Sequence, residues 1–174
     1  ALPIPHAIGK AVGYSSMENV TRGLHRLGNG LFPLWTRHTP MASRKIKDNF
    51  YPAESTTEPE VVYFPACVTR MMGSTPSASN EKEDVPSKML SLLQRAEYSV
   101  IIPEQKDSLC CGMAFSSKGF KEQARKKEDE LNQALLKASR DGELPIVFDM
   151  SPCLLHAKET LDTRLRLYDQ VEFI

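Results

Sequence analysis

The sequence predicts an α/β fold, a short and mostly parallel sheet flanked by helices, with an N-terminal helical and irregular arm. Three observations carry this. Short apolar, β-rich runs recur at Val61–Phe64, Ser99–Ile102 and Ile146–Phe148. Segments of helical period lie between and after them. The resulting order, β-α-β-α-β-α-β with a last strand expected over Gln170–Ile174, is that of parallel strands joined by helical crossovers.

Residues 1–59 read as a helical arm and linker. From His6 to Leu31 the apolar residues Ile8, Val12, Val20, Leu24, Leu27 and Leu31 keep helical spacing. Gly9, Gly13, Gly23, Gly28 and Gly30 weaken it, so one helix or two with an interruption is expected. Residues 32–60 lack periodicity and carry Pro33, Pro40, Pro52 and a polar run from Glu54 to Glu60. Trp35, Ile46, Phe50 and Tyr51 are the side chains through which this stretch could pack on the domain that follows.

Residues 60–174 read as the α/β domain. After the first strand, the Ser-, Asn-, Pro- and Glu-rich residues 73–85 form a loop. Asp84 and Pro86 suit an N-cap and a first helical turn. Met89, Leu92, Leu93 and Ala96 then fall at helical spacing. Phe120, Ala124, Leu131, Leu135 and Ala138 form an apolar stripe on a long charged helix that Gly142 is placed to stop. Ser151-Pro152 reads as N-cap and first position of a further helix, with Leu155, Leu161 and Leu165 inward.

The chain has 174 residues, 22 Lys plus Arg and 22 Asp plus Glu, so its formal net charge is zero. That removes the electrostatic argument for nucleic-acid binding or a polybasic membrane anchor. A hydrophobic content of 41 % supplies a packed core. No apolar run approaches the roughly 20 residues of a membrane span, and no secretory pattern is visible. The chain does not begin with Met, which suggests a processed product or a fragment of a larger protein.

The chemistry lies in Cys67, Cys110, Cys111 and Cys153. Two of the four are adjacent, which disfavours disulfides, and a chain of this size does not need them. Each cysteine segment follows a predicted strand. Carboxyl ends of parallel strands share one edge, where ligand sites of open α/β sheets gather. Three distant segments therefore deliver sulfur to one place. Cys153 falls at the start of a helix, where partial positive charge favours the thiolate that binds metal. His156, three residues on, faces the same way and is a further candidate ligand. Gly112 permits backbone conformations closed to other residues and lets amides approach sulfur. Soft thiolates select zinc, copper(I) or iron–sulfur clusters, and adjacent cysteines suit a multi-metal centre. His6, His25 and His38 receive no role, and the Lys121–Glu130 charge run reads as a solvated helix face. Ser116-Ser117-Lys118-Gly119 lacks the glycine spacing of a phosphate loop. Met71, Met72 and Met113 read as packing around the cysteines.

Pro65-Ala66-Cys67, Cys110-Cys111-Gly112 and Ser151-Pro152-Cys153 together resemble the cysteine-rich CCG domain. That domain occurs in heterodisulfide reductases, in the iron–sulfur component of glycolate oxidase and in anaerobic glycerol-3-phosphate dehydrogenase. The string Cys110 to Phe120, with Tyr63 to Cys67 before it and Asp149 to Cys153 after it, resembles the C-terminal part of FAD-linked, quinone-dependent D-lactate dehydrogenases that carry ferredoxin-type clusters. The match covers about residues 60–174.

The resemblance implies electron transfer. A flavin domain takes a hydride from a D-2-hydroxy acid, and ferredoxin-type clusters relay electrons. The CCG domain adds an iron–sulfur site or a metal near the acceptor. Cys67, Cys110, Cys111 and Cys153 occupy the family's cysteine positions, with Gly112 beside them. The family's last motif is often Cys-x-x-Cys, whereas here it is Cys153-Leu-Leu-His156. A single CCG module stands where heterodisulfide reductases have two. An iron–sulfur cluster is expected, with zinc as the alternative on four thiolates or on three with His156. No ferredoxin cysteine run and no flavin fingerprint are present, so these residues alone should not oxidise lactate. FAD, the flavin domain and the ferredoxin-type domain are expected elsewhere in the same polypeptide. A quinone or other respiratory acceptor is expected as partner, and a cytoplasmic location, peripheral at the inner face of the membrane. A zinc-binding docking module, and the CCG domain of a glycolate oxidase or other 2-hydroxy acid oxidoreductase, are the competing expectations.

Overall fold

The computed structural model describes residues 3–36, 38–46, 49–53, 58–75 and 83–174. Residues 54–57 of the expected polar run and 76–82 of the expected loop lie outside these. The chain divides into two compact units, residues 1–44 with 71–84, and residues 45–70 with 85–174.

In the first unit, α1 (Pro3–Val12) and α2 (Tyr14–Leu27) are separated at Gly13, whose φ of 89° breaks the helical run where the glycines suggested an interruption. Thr21 Oγ1 donates to the Trp35 carbonyl, and an isolated bridge joins Ala42 to Met72. The Asp84 carboxylate accepts from Ser43 Oγ at 2.7 Å and from the Arg44 amide at 2.6 Å.

The second unit is a five-stranded sheet. Its strands are β1 (Phe50–Tyr51), β2 (Glu60–Phe64), β3 (Ser99–Ile101), β4 (Ile146–Phe148) and β5 (Leu167–Asp169), in the order β1-β3-β2-β4-β5. The four longer strands run parallel, with Val61 opposite Val100 and Tyr63 opposite Val147. β1 is antiparallel to β3 and forms an edge. Two residues are too few to show a period, which is why the sequence placed Phe50 and Tyr51 in an irregular stretch.

Strands β2 and β4 are apolar on both faces because both faces are covered. Alternation divides their side chains. Val62, Phe64, Ile146 and Phe148 pack on one face against Leu131 and Leu135 of α6 (Lys121–Ala138) and Leu154 and Ala157 of α7 (Ser151–Thr160). Val61, Tyr63, Val100 and Val147 pack on the other against Met89, Leu90 and Leu93 of α4 (Val85–Arg95). The chain leaves β2 toward β3 through α4, then crosses back over β2 to reach β4 through α6. Crossovers of one hand in opposite directions put their helices on opposite faces. The reversal makes the carboxyl ends of β2 and β4 a topological switch point.

Several sequence expectations shift by a residue or an element. Met89, Leu93 and Leu165 are buried as the spacing implies, but Leu92 and Leu155 are exposed, and Leu90 and Leu154 turn inward in their place. Met150 is the N-cap of α7, which moves Ser151-Pro152 into the first turn. Phe120 is exposed at the start of α6. The last strand is Leu167–Asp169 rather than Gln170–Ile174. The Asp169 carboxylate accepts from the amides of Val171 and Glu172, and Glu172 bonds back to the Asp169 amide. This capping box turns Gln170–Phe173 into the short helix α8 despite its apolar residues.

Candidate metal centre

Each cysteine segment follows a strand, on the edge that the sheet topology makes common, with Cys110 and Cys111 reached by a longer loop. Cys67 opens α3 (Cys67–Met71), immediately after β2 and the Pro65-Ala66 turn. Cys110 and Cys111 lie in the loop from β3 to α5 (Met113–Ser116). Cys153 lies in the first turn of α7, after β4. All four are free thiols. Cys111 and Cys153 are buried, whereas Cys67 and Cys110 are half-buried, so the group has an inner and an outer pair.

The thiols form a connected row. Cys110 Sγ and Cys67 Sγ are in hydrogen-bond contact at 4.0 Å. Hydrogen bonds from Cys111 and Cys67, with the Gly112 amide and the Lys127 charge, hold the Cys110 thiol well below its ordinary value. Cys111 bonds in turn to Cys153 and holds that thiol below its usual value. Cys67 and Cys111 are pushed up by the same contacts, with burial adding to them. The row thus alternates between groups that favour thiol and thiolate. Among the described residues, no group of three or more His, Cys, Asp or Glu side chains is already gathered around one point as a metal ion requires. The donor chemistry nevertheless fits. Two thiolates on one tetrahedral ion, with metal–sulfur bonds of about 2.3 Å, lie roughly 3.8 Å apart, close to the Cys67–Cys110 separation.

Gly112 has φ +87° and caps α5. A Cβ there would meet the Ala124 carbonyl at 2.9 Å and Glu128 Oε1 at 3.1 Å. Only glycine fits both the backbone and the space. His156 Nε2 is 2.9 Å from the same Glu128 Oε1, with both side chains largely buried. His156 therefore reaches the rim of the cysteine loop and is engaged there by a carboxylate.

Three residues that build the site escaped the sequence reading of it. Asp149, buried between β4 and α7, accepts from Tyr63 Oη at 2.7 Å, the Ala66 amide at 2.8 Å and Thr69 Oγ1 at 2.8 Å. It ties the Cys67 turn to the strand end that precedes Cys153. Arg70 donates from Nε to the Pro65 carbonyl at 3.0 Å and from an Nη to the Leu109 carbonyl. Lys127 donates to the Ser108 carbonyl at 3.3 Å and pairs with Glu130 at 2.6 Å. With Glu128, it shows that the α6 charge run does not only face solvent. Asp149 had a visible position, four residues before Cys153, but no sequence signal said that it accepts three hydrogen bonds.

A cavity of about 780 Å³ opens beside this loop, lined by Ile101, Ile102, Pro103, Leu109, Lys127 and Ala134 among others. No helix among the described residues is long and apolar enough to cross a membrane.

A search of curated proteins and a search of solved structures gave no match. The model of the cysteine-rich CCG domain matches residues 61–158, more than half of the chain, and spans all four cysteines with the strands that carry them. A cysteine-rich domain of this kind fits metal or cluster binding, and its cysteine segments coincide with the strand ends of the parallel sheet. By that match, the chain belongs to the CCG cysteine-rich domain family.

Proposed function

We propose that this chain is an electron-transfer module, the iron–sulfur domain of a respiratory FAD-dependent D-lactate dehydrogenase. The observation that supports this most is the delivery of four thiols to one switch-point edge, two of them adjacent at Cys110 and Cys111. Adjacent thiolates can each take a different iron but crowd a single ion. An iron–sulfur cluster would be held by Cys67, Cys110, Cys111 and Cys153, and when bound it would supply one-electron chemistry. Gly112 lets the loop run close against α6, so the adjacent pair is held on a short, packed segment. The flavin and ferredoxin-type domains, the quinone acceptor and a place at the inner membrane face belong to this reading. The string Cys110 to Phe120 favours D-lactate as the 2-hydroxy acid.

The 4.0 Å between Cys67 and Cys110 supports a second reading, a zinc-bound docking module, because it suits two thiolates on one ion. Metal and acid-labile sulfide content, measured with the visible spectrum on chain purified without oxygen, decides between them. Iron with sulfide and broad visible absorption is the expected result. Zinc without sulfide overturns the electron-transfer reading and leaves the docking role.

A further inference from the structure

Arg70 is a half-buried cation placed between two of the three cysteine segments. Burial pulls its guanidinium below the usual value, while the neighbouring Cys67, Asp107, Cys110 and Asp149 act to keep it charged. Its position is over-determined. Nε donates to the carbonyl of Pro65, two residues before Cys67, and Nη donates to the carbonyl of Leu109, one residue before Cys110. The guanidinium carbon lies 6.0 Å from the Phe64 ring centroid, over a side chain fixed in the core. Arginine is suited to this because its planar fork can donate in two directions at once, and an ammonium on a flexible stem cannot reproduce it.

Charge gives this geometry a purpose. Four thiolates bring four negative charges to a site. A divalent metal ion leaves two of them uncompensated. A low-dielectric site makes uncompensated charge costly unless an opposite charge is fixed nearby. Lys127 also acts on Cys110, but it is paired with Glu130. Arg70 acts on both Cys67 and Cys110.

We propose that Arg70 is the positioning and charge-compensating residue of the cysteine centre, pinning the Cys67 and Cys110 segments together and offsetting the negative charge of their metal-bound thiolates. This rests on the reading that the cysteines hold a metal or cluster. Residues that orient ligands from behind typically change metal affinity by about 10- to 100-fold when removed.

The test is Co²⁺ binding to the full chain, followed by visible spectrum and by chelator competition, for the wild type, Arg70→Gln and Arg70→Lys. Arg70→Gln is expected to weaken Co²⁺ binding by about 10- to 100-fold and to shift the thiolate-to-cobalt bands. Arg70→Lys should recover part of the affinity, because the charge is kept, while the bands remain shifted, because the fork is lost. Circular dichroism checks that each variant folds. If Arg70→Gln does not, Arg70→Lys alone decides, by shifted bands or wild-type ones. Wild-type affinity with unshifted bands in a folded variant overturns the role of Arg70 and leaves metal binding standing. No Co²⁺ uptake by the wild type overturns the role of Arg70, while the metal and sulfide content of the purified chain still decides the metal reading.

Discussion

Cys110 and Cys67 are 4.0 Å apart, half-buried alike, and chemically opposite. Cys110 receives hydrogen bonds from Cys111, Cys67 and the Gly112 amide, which favour its thiolate. Cys67 donates against that charge and is pushed up. A lowered value leaves Cys110 ionised as pH falls through the range where an ordinary thiol, near about 8.5, is protonated. In chelator-treated protein, iodoacetamide should therefore modify Cys110 ahead of Cys67. Its rate should change little between about pH 8 and pH 6. Peptide mass spectrometry over that range checks this, and equal rates at the two residues would show that the row of thiols is not polarised. At the same scale, the three hydrogen bonds on Asp149 explain why the Cys67 turn keeps its place. A buried carboxylate that satisfies three donors is costly to remove, because each donor left without a partner costs about 1–3 kcal/mol.

At the scale of elements, the long helix α6 does two jobs. Its buried face, Ala124, Leu131 and Leu135, closes one side of the sheet, and Lys127 and Glu128 reach the cysteine loop. Its end must therefore be set accurately. Arg140, Asp141 and Gly142 take φ of 53°, 57° and 92° in succession, and the turn returns the chain to β4. A Cβ on Gly142 would meet the Arg164 carbonyl at 2.2 Å, which no relaxation of a side chain relieves. Gly142→Ala should lower stability by about 2 kcal/mol or more. The urea midpoint would fall with an unchanged slope. A midpoint equal to that of the wild type would mean that the turn and the Arg164 backbone move apart at no cost.

At the scale of the whole molecule, the switch point explains why three segments separated by about forty residues each reach one site. Strand β2 stands at the centre, with β3 and β4 on either side of it. Their loops leave the same edge. The proposed electron-transfer role predicts that Cys111→Ser, in a flavin dehydrogenase that contains this domain, abolishes quinone-linked turnover and leaves flavin reduction by D-lactate in place. Stopped-flow flavin absorbance and a quinone-reduction assay read the two halves separately. Quinone turnover at the wild-type rate would remove this domain from the electron path.

The three main parallel strands were legible in the sequence because buried strands are short, apolar runs bounded by prolines and polar turns. The two N-terminal helices were legible because helical spacing survives a glycine interruption. The placement of Cys67, Cys110, Cys111 and Cys153 after parallel strands was legible too, because parallel topology alone assigns strand ends to one edge. The edge strand Phe50–Tyr51 was not, since its pairing with β3 is a long-range contact with no local period. Gln170–Phe173 looked like a strand by composition, but the Asp169–Glu172 capping box outweighs that preference. Only the tertiary structure decided which polar residues serve the site. Arg70, Lys127, Glu128 and Asp149 are ordinary charged residues in sequence. They acquire roles because folding buries them beside carbonyls, a histidine or thiols that lie far away along the chain.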